Sequence, residues 1–184
     1  RPDASASAPG ILSNGRACPV PGRVPWASVT KVEARAACEL AGGRLCTVDE
    51  WRVACRGAAD TTFPYGNTFQ ELTCNGSAYD TDPATIGNQD GALNTDKPTS
   101  CITTWPGGTL LNMSGNVKEW VVTAWTGTPG TSAPEAYQLR GGAYDTPNLG
   151  TFGAGLSCDY QLPDPEPVTT GTLRLPNLGF RCCK

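Results

Sequence analysis

The chain of 184 residues contains no histidine, and that absence removes a block of chemistry. Without imidazole there is no Ser-His or Cys-His nucleophile pair, no histidine general base and no histidine-bound iron. Charge is sparse as well: 17% of residues are Asp, Glu, Lys or Arg, with a formal net charge of −3 and no basic run. Nucleic acid and anionic membrane surfaces are poor partners for such a chain. No apolar stretch approaches the roughly 20 residues of a membrane-spanning helix. The sequence opens at Arg1 with neither Met nor a signal-like apolar segment, as expected of a processed or trimmed chain.

What is plentiful is glycine (22), proline (16) and cysteine (9). Glycine and proline at this level imply many turns around short regular elements, in one domain with a proper core. With no histidine and no Cys-x-x-Cys, the cysteines point to disulfides rather than zinc. That places the protein outside a reducing cytosol: extracellular, on the cell surface or periplasmic. An odd count leaves at least one thiol free or joined to another chain.

Residues 1–17 are rich in Ala, Ser, Pro and Gly without period and read as a flexible N-terminal arm. Residues 18–184 form the domain, and Cys18 is placed to staple the arm to it. Thr30-Lys31-Val32-Glu33 is a capping box that predicts a helix after Thr30, with Val32, Ala36, Ala37, Leu40 and Ala41 as its apolar stripe. Gly42-Gly43 ends it. Thr47-Val48-Asp49-Glu50 is a second capping box, opening a short helix through Trp51, Ala54 and Cys55.

Leu111–Trp120 is the most informative run. Leu111, Met113, Val117, Trp120, Val121 and Val122 suit a buried strand entered from a turn, and Ser114-Gly115-Asn116 must loop out. Asn112, Asn116 and Glu119 bring hard oxygens to that loop, a donor set for calcium rather than zinc or copper. An Asn/Ser/Gly turn capped by its own side chains is the purely structural alternative. Residues 70–104 are turn-rich and aperiodic, so they need tying down, by a disulfide between Cys74 and Cys101 or by an ion.

Several motifs then fall in register. Gly115-Asn116-Val117-Lys118-Glu119-Trp120 resembles the Gly-Asn-Val-Trp-Glu-Trp signature of the formylglycine-generating enzyme (sulfatase-modifying factor) family, with Lys118 in place of the usual Trp. Ala37–Leu45, Thr47–Trp51 and Ala54–Gly57 are similar to its Ala-x-x-Gly-x-Arg-Leu-Pro-Thr-Glu-x-Glu-Trp block, with Cys46 where proline is usual. Phe63–Asn67 resembles its Tyr-Pro-Trp-Gly turn, Leu139–Tyr144 its Arg-Gly-Gly strand, and Asn177–Cys182 its closing Gly-Phe-Arg-Cys strand. The two glycines of the Arg-Gly-Gly run would permit close backbone approach within that strand.

The resemblance implies an α+β, irregular, loop-rich variant of the C-type lectin-like fold, with two short helices, small antiparallel sheets, disulfides and structural calcium. One calcium would take Asn75, Gly76, Asp90 and Ala92, and a second Asn112, Gly115, Val117 and Glu119. One carboxylate per site puts the affinity in roughly the micromolar-to-millimolar range of extracellular modules. Asn75 and Asn112 also head formal glycosylation sequons, and a glycan there would block the ligand. By position the resemblance implies the bridges Cys38–Cys182 and Cys55–Cys158, each closing a loop worth roughly 4–5 kcal/mol by chain entropy. Adjacent Cys182 and Cys183 should face opposite ways on a strand, so Cys183 needs another mate. Cys46 and Cys18 remain open as candidates.

Catalytic members of the family hold copper through a cysteine pair shortly after the Arg-Gly-Gly strand. Here that segment, Asp145–Phe152, has none, and soft Cu(I) needs thiolates. The reading is therefore a non-catalytic module with structural calcium, no copper and no catalytic residue. Its partner would be a protein or glycan, or further copies of itself. Thr123–Glu135 and Asp159–Thr172 are candidate recognition loops, and Trp105, Trp125, Tyr79 and Tyr160 candidate stacking aromatics, or simply core. The alternatives are a self-assembling structural subunit joined through the arm or the odd cysteine, and an oxidase with rearranged cysteines using Cys158.

Overall fold

The computed structural model describes residues 22–80, 91–122, 137–146, 154–163 and 172–184. The arm, Cys18, Asp90, Trp125 and most of both candidate recognition loops lie outside these residues. Helix α1 (Lys31–Leu40) starts where its capping box predicts: Thr30 Oγ1 accepts from the Glu33 N–H at 3.1 Å. The Glu33 carboxylate in turn accepts from the Thr30 N–H at 3.0 Å. Helix α2 (Val48–Arg56) repeats the arrangement with Thr47 and Glu50. Each box supplies partners for N–H groups that a helix start leaves unpaired.

The stripe expected on α1 is not its buried face. Val32 and Leu40 are 59% and 54% exposed, whereas Lys31, Ala34, Ala37 and Cys38 are buried. Positions 31, 34 and 38 share one side of a helix, and the bond from Cys38 to Cys182 turns that side inward. The covalent tie outranks the hydropathy of two aliphatic residues.

The strands are β1 (Arg44–Leu45), β2 (Ile102–Trp105), β3 (Gly108–Leu111), β4 (Lys118–Val122), β5 (Tyr137–Arg140), β6 (Gln161–Pro163), β7 (Leu178–Phe180) and β8 (Cys182–Cys183). The main sheet runs β6-β5-β4-β7, antiparallel except where β4 meets β7 in parallel. β2–β3 and β1–β8 are separate antiparallel pairs. Central β4 is buried on both faces, so its neighbours divide into two cores. Trp120 and Val122 join Val29, Ala34, Cys38, Leu45, Leu139 and Leu178 on one side. Val121 joins Trp51, Met113 and the cysteines Cys46, Cys55 and Cys158 on the other. The Trp120 indole donates to the Val29 carbonyl at 3.0 Å, which satisfies its only polar group inside the first core.

Four disulfides fasten these layers: Cys38–Cys182, Cys55–Cys158 and Cys74–Cys101, the pairs read from the sequence, and Cys46–Cys183. The last resolves the open question for Cys46 and Cys183. On β8 the adjacent cysteines do face opposite ways, Cys182 packing on the first core and Cys183 on the second. With these eight bonded to one another, no cysteine of the chain is left for Cys18.

Gly141 and Gly142 follow β5 rather than lying within a strand, with φ of +90° and +64°. They turn the chain against its neighbours: a Cβ on Gly142 would sit 2.4 Å from the Gly155 carbonyl oxygen. The Phe63–Gly66 turn closes by reciprocal backbone hydrogen bonds at 2.9 and 3.1 Å.

Two predictions follow from this packing. Gly115 has φ +72°, and a Cβ there would meet the Asn75 carbonyl oxygen at 2.3 Å. Gly115→Ala should cost at least about 2 kcal/mol in urea unfolding, as a backbone clash joined to an unfavourable φ, while Gly91→Ala, with nothing within 4 Å, should be tolerated. The second concerns acid. Glu33 is held at about 2, where burial, which acts to raise it, is outweighed by hydrogen bonds from Arg174 and Thr30. Glu50 also sits at about 2, chiefly through its hydrogen bonds from Arg44, against burial. Both ordinary values are 4.5, so the folded form binds these protons less readily than the unfolded chain. The stability they contribute is whole above the unfolded value and is lost as pH falls from about 5 towards 2. Glu50→Gln should flatten that acid limb in thermal melts.

Candidate functional site

Between β3 and β4 the chain makes a buried loop, and three asparagines shape it. Asn112 and Asn116 adopt φ of +54° and +65°, a region that asparagine tolerates better than most non-glycine residues. Each then uses its amide to gather backbone from the turn-rich segment. Asn112 Nδ2 donates to the carbonyls of Thr95 and Lys97 at 3.1 and 2.8 Å. Asn116 pairs with Leu93, accepting from its N–H at 2.8 Å and donating to its carbonyl at 3.2 Å. Asn75 donates to the Gly91 carbonyl at 3.0 Å and to Asn116 Oδ1 at 3.2 Å, and its own carbonyl accepts from the Asn116 N–H at 2.7 Å.

These contacts fix which way the amides of Asn75 and Asn112 point, since the nitrogen of each faces two acceptors. Their Oδ1 atoms are buried with no hydrogen-bond partner among the described residues, a state they share with Trp26 Nε1, Gln138 Oε1, Arg140 Nε and Asn177 Oδ1. An unsatisfied buried acceptor costs about 1–3 kcal/mol, so two such oxygens on adjoining loops are not neutral features. They belong to the two residues the sequence nominated as side-chain ligands of the two calcium sites. In this respect the residues present fit a hard cation. Gly76, Gly115 and Val117 are buried on the same loops and Ala92 is half-buried, while Asp90 lies outside the described residues. Among the described residues no three His, Cys, Asp or Glu side chains converge. The donor set is thus amide and carbonyl oxygen with little formal charge, a calcium-like chemistry. The amide nitrogens of Asn75 and Asn112 are engaged, and neither is presented for a glycan in the folded chain.

Glu119, the carboxylate of the second set, is 5% exposed. One oxygen accepts from the Trp51 indole N–H at 2.6 Å and the other from Arg181 Nη2 at 2.9 Å. Arg181 Nη2 also donates to the Leu111 carbonyl at 3.0 Å and approaches that of Asn112 at 3.4 Å. The guanidinium therefore neutralises Glu119 and touches the start of the loop with the same nitrogen. Sequence reasoning did not single out Arg181 or give Trp51 this role. They stand 62 and 68 residues from Glu119, and nothing local marks either as its partner.

Of the segment where the resemblance would put copper cysteines, Asp145 and Thr146 are the described residues. Thr146 is buried, and its Oγ1 accepts from the Ala143 N–H at 2.8 Å. Asn177 Nδ2 donates to both oxygens of Asp145 at 2.9 and 2.8 Å. Cys158 is bonded to Cys55. Among the candidate stacking aromatics, Trp105, Tyr79 and Tyr160 are half-buried. Trp105 flanks a groove of about 510 Å³ with Val53, Ala54 and Leu110.

Two helices on a short mixed sheet, disulfide clamps and an asparagine-held loop define a loop-rich α+β domain of the formylglycine-generating-enzyme type. The chain belongs to the family described as "Sulfatase-modifying factor enzyme 1-like domain", whose profile matches residues 9–184. Among solved structures it is similar to CarF, with 19% identity and a TM-score of 0.56 over 88% of this chain and 67% of that one. It is also similar to Treponema denticola variable protein 1, with 17% identity and a TM-score of 0.53 over 94% and 76%. At these identities the likeness is one of fold. No curated protein sequence matches the chain.

If Arg181 compensates the buried Glu119, removing it alone should be severe. Arg181→Met should cost about 3–5 kcal/mol in chemical denaturation, the range for orphaning a buried charge. Adding Glu119→Gln should restore a substantial part of that loss, since the charge that needed compensation is gone.

Proposed function

We propose that this chain is a non-catalytic binding module of its family, working outside the cytosol on a scaffold held by disulfides and calcium. The observation that carries the non-catalytic reading is Thr146. In the stretch where catalytic relatives place copper-binding cysteines, this chain has a buried threonine whose hydroxyl caps a turn. A hydroxyl committed to a backbone N–H is no substitute for a thiolate toward monovalent copper. The nearest cysteine along the chain, Cys158, is consumed in a structural bridge. Four disulfides suit an oxidising compartment, extracellular, surface or periplasmic.

The calcium reading is supported by the unpartnered oxygens of Asn75 and Asn112. In this reading Asn75, Gly76, Asp90 and Ala92 hold one ion, and Asn112, Gly115, Val117 and Glu119 the other. When bound, the ions would fix loop shape, the second one sharing Glu119 with Trp51 and with Arg181, which already brings positive charge to that loop. The ligand would be a protein or glycan, met by surface loops. A second reading, covalent assembly of copies, is favoured by one count: eight of the nine cysteines pair with one another, and Cys18 is the ninth.

Calcium at a hundredfold excess over its dissociation constant should stabilise the metal-stripped chain by about 2.7 kcal/mol for one site, read as a rise in Tm. Asn112→Ala and Asn75→Ala should each remove part of that rise. An unchanged Tm at millimolar calcium would sink the calcium reading. Tight Cu(I) binding by the native chain would overturn the non-catalytic one. Non-reducing electrophoresis of Cys18→Ser against the parent chain separates covalent assembly from a monomeric module.

A further inference from the structure

The four disulfides differ in how they can be approached. Cys38, Cys46, Cys55, Cys74, Cys101 and Cys158 are each 1% exposed or less. Cys182 and Cys183 are partly exposed, and they are neighbours on β8, a two-residue strand paired only with β1. A thiolate cuts a disulfide by attacking one of its sulfurs, so access to a sulfur decides which bond opens first. The two partly exposed cysteines thus lie on one short strand, bonded to two different partners.

That strand follows immediately on Arg181. The Arg181 backbone is enclosed from the same side, with Cys46 Sγ 3.6 Å from its carbonyl oxygen. Its side chain holds Glu119 and touches the carbonyls of Leu111 and Asn112. We propose that β8 is a redox latch on the Asn112–Val117 loop: a dithiol opens Cys46–Cys183 and Cys38–Cys182 before the other two bonds, and freeing β8 loosens Arg181 from that loop. This does not depend on whether a cation occupies the loop.

The exchange balances at each bond. A dithiol thiolate attacks Cys183 Sγ, the bond to Cys46 breaks, and Cys46 leaves as a thiolate that takes up a proton. The second thiol of the reductant, deprotonated, then displaces Cys183, which leaves as a thiolate and is protonated, while the reductant closes as a cyclic disulfide. Two electrons pass to the protein. Attack at Cys182 releases Cys38 in the same way. Cys55–Cys158 and Cys74–Cys101 stay closed, holding α2 and the turn-rich segment. The response is therefore local: Arg181 loses the anchor on its C-terminal side, and its hold on the Leu111 and Asn112 carbonyls weakens.

The test uses the full oxidised chain carrying Cys18→Ser, which removes the stray thiol, under native conditions with low dithiothreitol. Samples are quenched with a maleimide and mapped by peptide mass spectrometry. Cys38, Cys46, Cys182 and Cys183 should label at least about tenfold faster than the other four, because access governs attack. Amide hydrogen exchange in residues 112–117 should rise by at least about tenfold in the half-reduced form, with α2 unchanged, as expected of local opening. Simultaneous opening of all four bonds would overturn the proposal. So would earlier opening of Cys55–Cys158 or Cys74–Cys101, or an opened β8 with exchange at 112–117 unaltered.

Discussion

A carboxylate inside a protein must find compensation for the water it has lost, and Glu119 is such a group at the centre of this fold. It projects from β4, the strand buried on both faces, into the side that holds Trp51. Its partners come from distant parts of the chain: an indole N–H from α2 and a guanidinium from the link between β7 and β8. The same guanidinium reaches the carbonyls that open the Asn112 loop. One desolvated charge therefore requires α2, the main sheet, the closing strand and the loop to meet in one place. Pairs of this kind contribute little net stability against an apolar replacement, but breaking them is costly. Their effect here is to make one arrangement of the elements much better than others.

The disulfides act on a different layer of the problem. Glycine and proline make up a large share of the chain, and many strands are only two to four residues long, so ladders and propensity supply modest cohesion. Three of the four bonds join segments more than a hundred residues apart, and by chain entropy such closures rank among the strongest. They also assign faces. Cys38 decides which side of α1 is inward, and the Cys182–Cys183 pair sends one bond into each of the two cores. The C-terminal strand thereby joins both covalently, although only two residues long.

The asparagine loop shows how a polar region can be buried in such a domain. Asn75, Asn112 and Asn116 replace the regular ladder by holding backbone carbonyls and N–H groups of residues 91–97, and the left-handed conformations of Asn112 and Asn116 give the loop its shape. The cost is visible in the two amide oxygens that find no protein partner. After β5, Thr146 Oγ1 accepts from the Ala143 N–H and Asn177 Nδ2 donates to Asp145, while Asn177 Oδ1 is buried without a partner among the described residues.

Much of the fold was legible in the sequence because its signals are local. The capping boxes at Thr30 and Thr47, the break at Ser114–Asn116 and the turn at Phe63–Gly66 depend on residues within a few positions of one another. The family motifs, preserved in order, extended that reading to the Cys38–Cys182 and Cys55–Cys158 pairs, and the aperiodic stretch between Cys74 and Cys101 suggested the third. What sequence alone determined, then, was the class of fold, an oxidised chain and a chemistry without imidazole or a copper-holding cysteine pair. Tertiary structure alone decided the inward face of α1, where a long-range bond overrode the hydropathy of Val32 and Leu40, and the partner of Cys183. It also decided that Arg181 and Trp51 guard Glu119. These are outcomes of contacts spanning 62 to 144 residues, over which neither spacing nor periodicity carries information about which groups will meet.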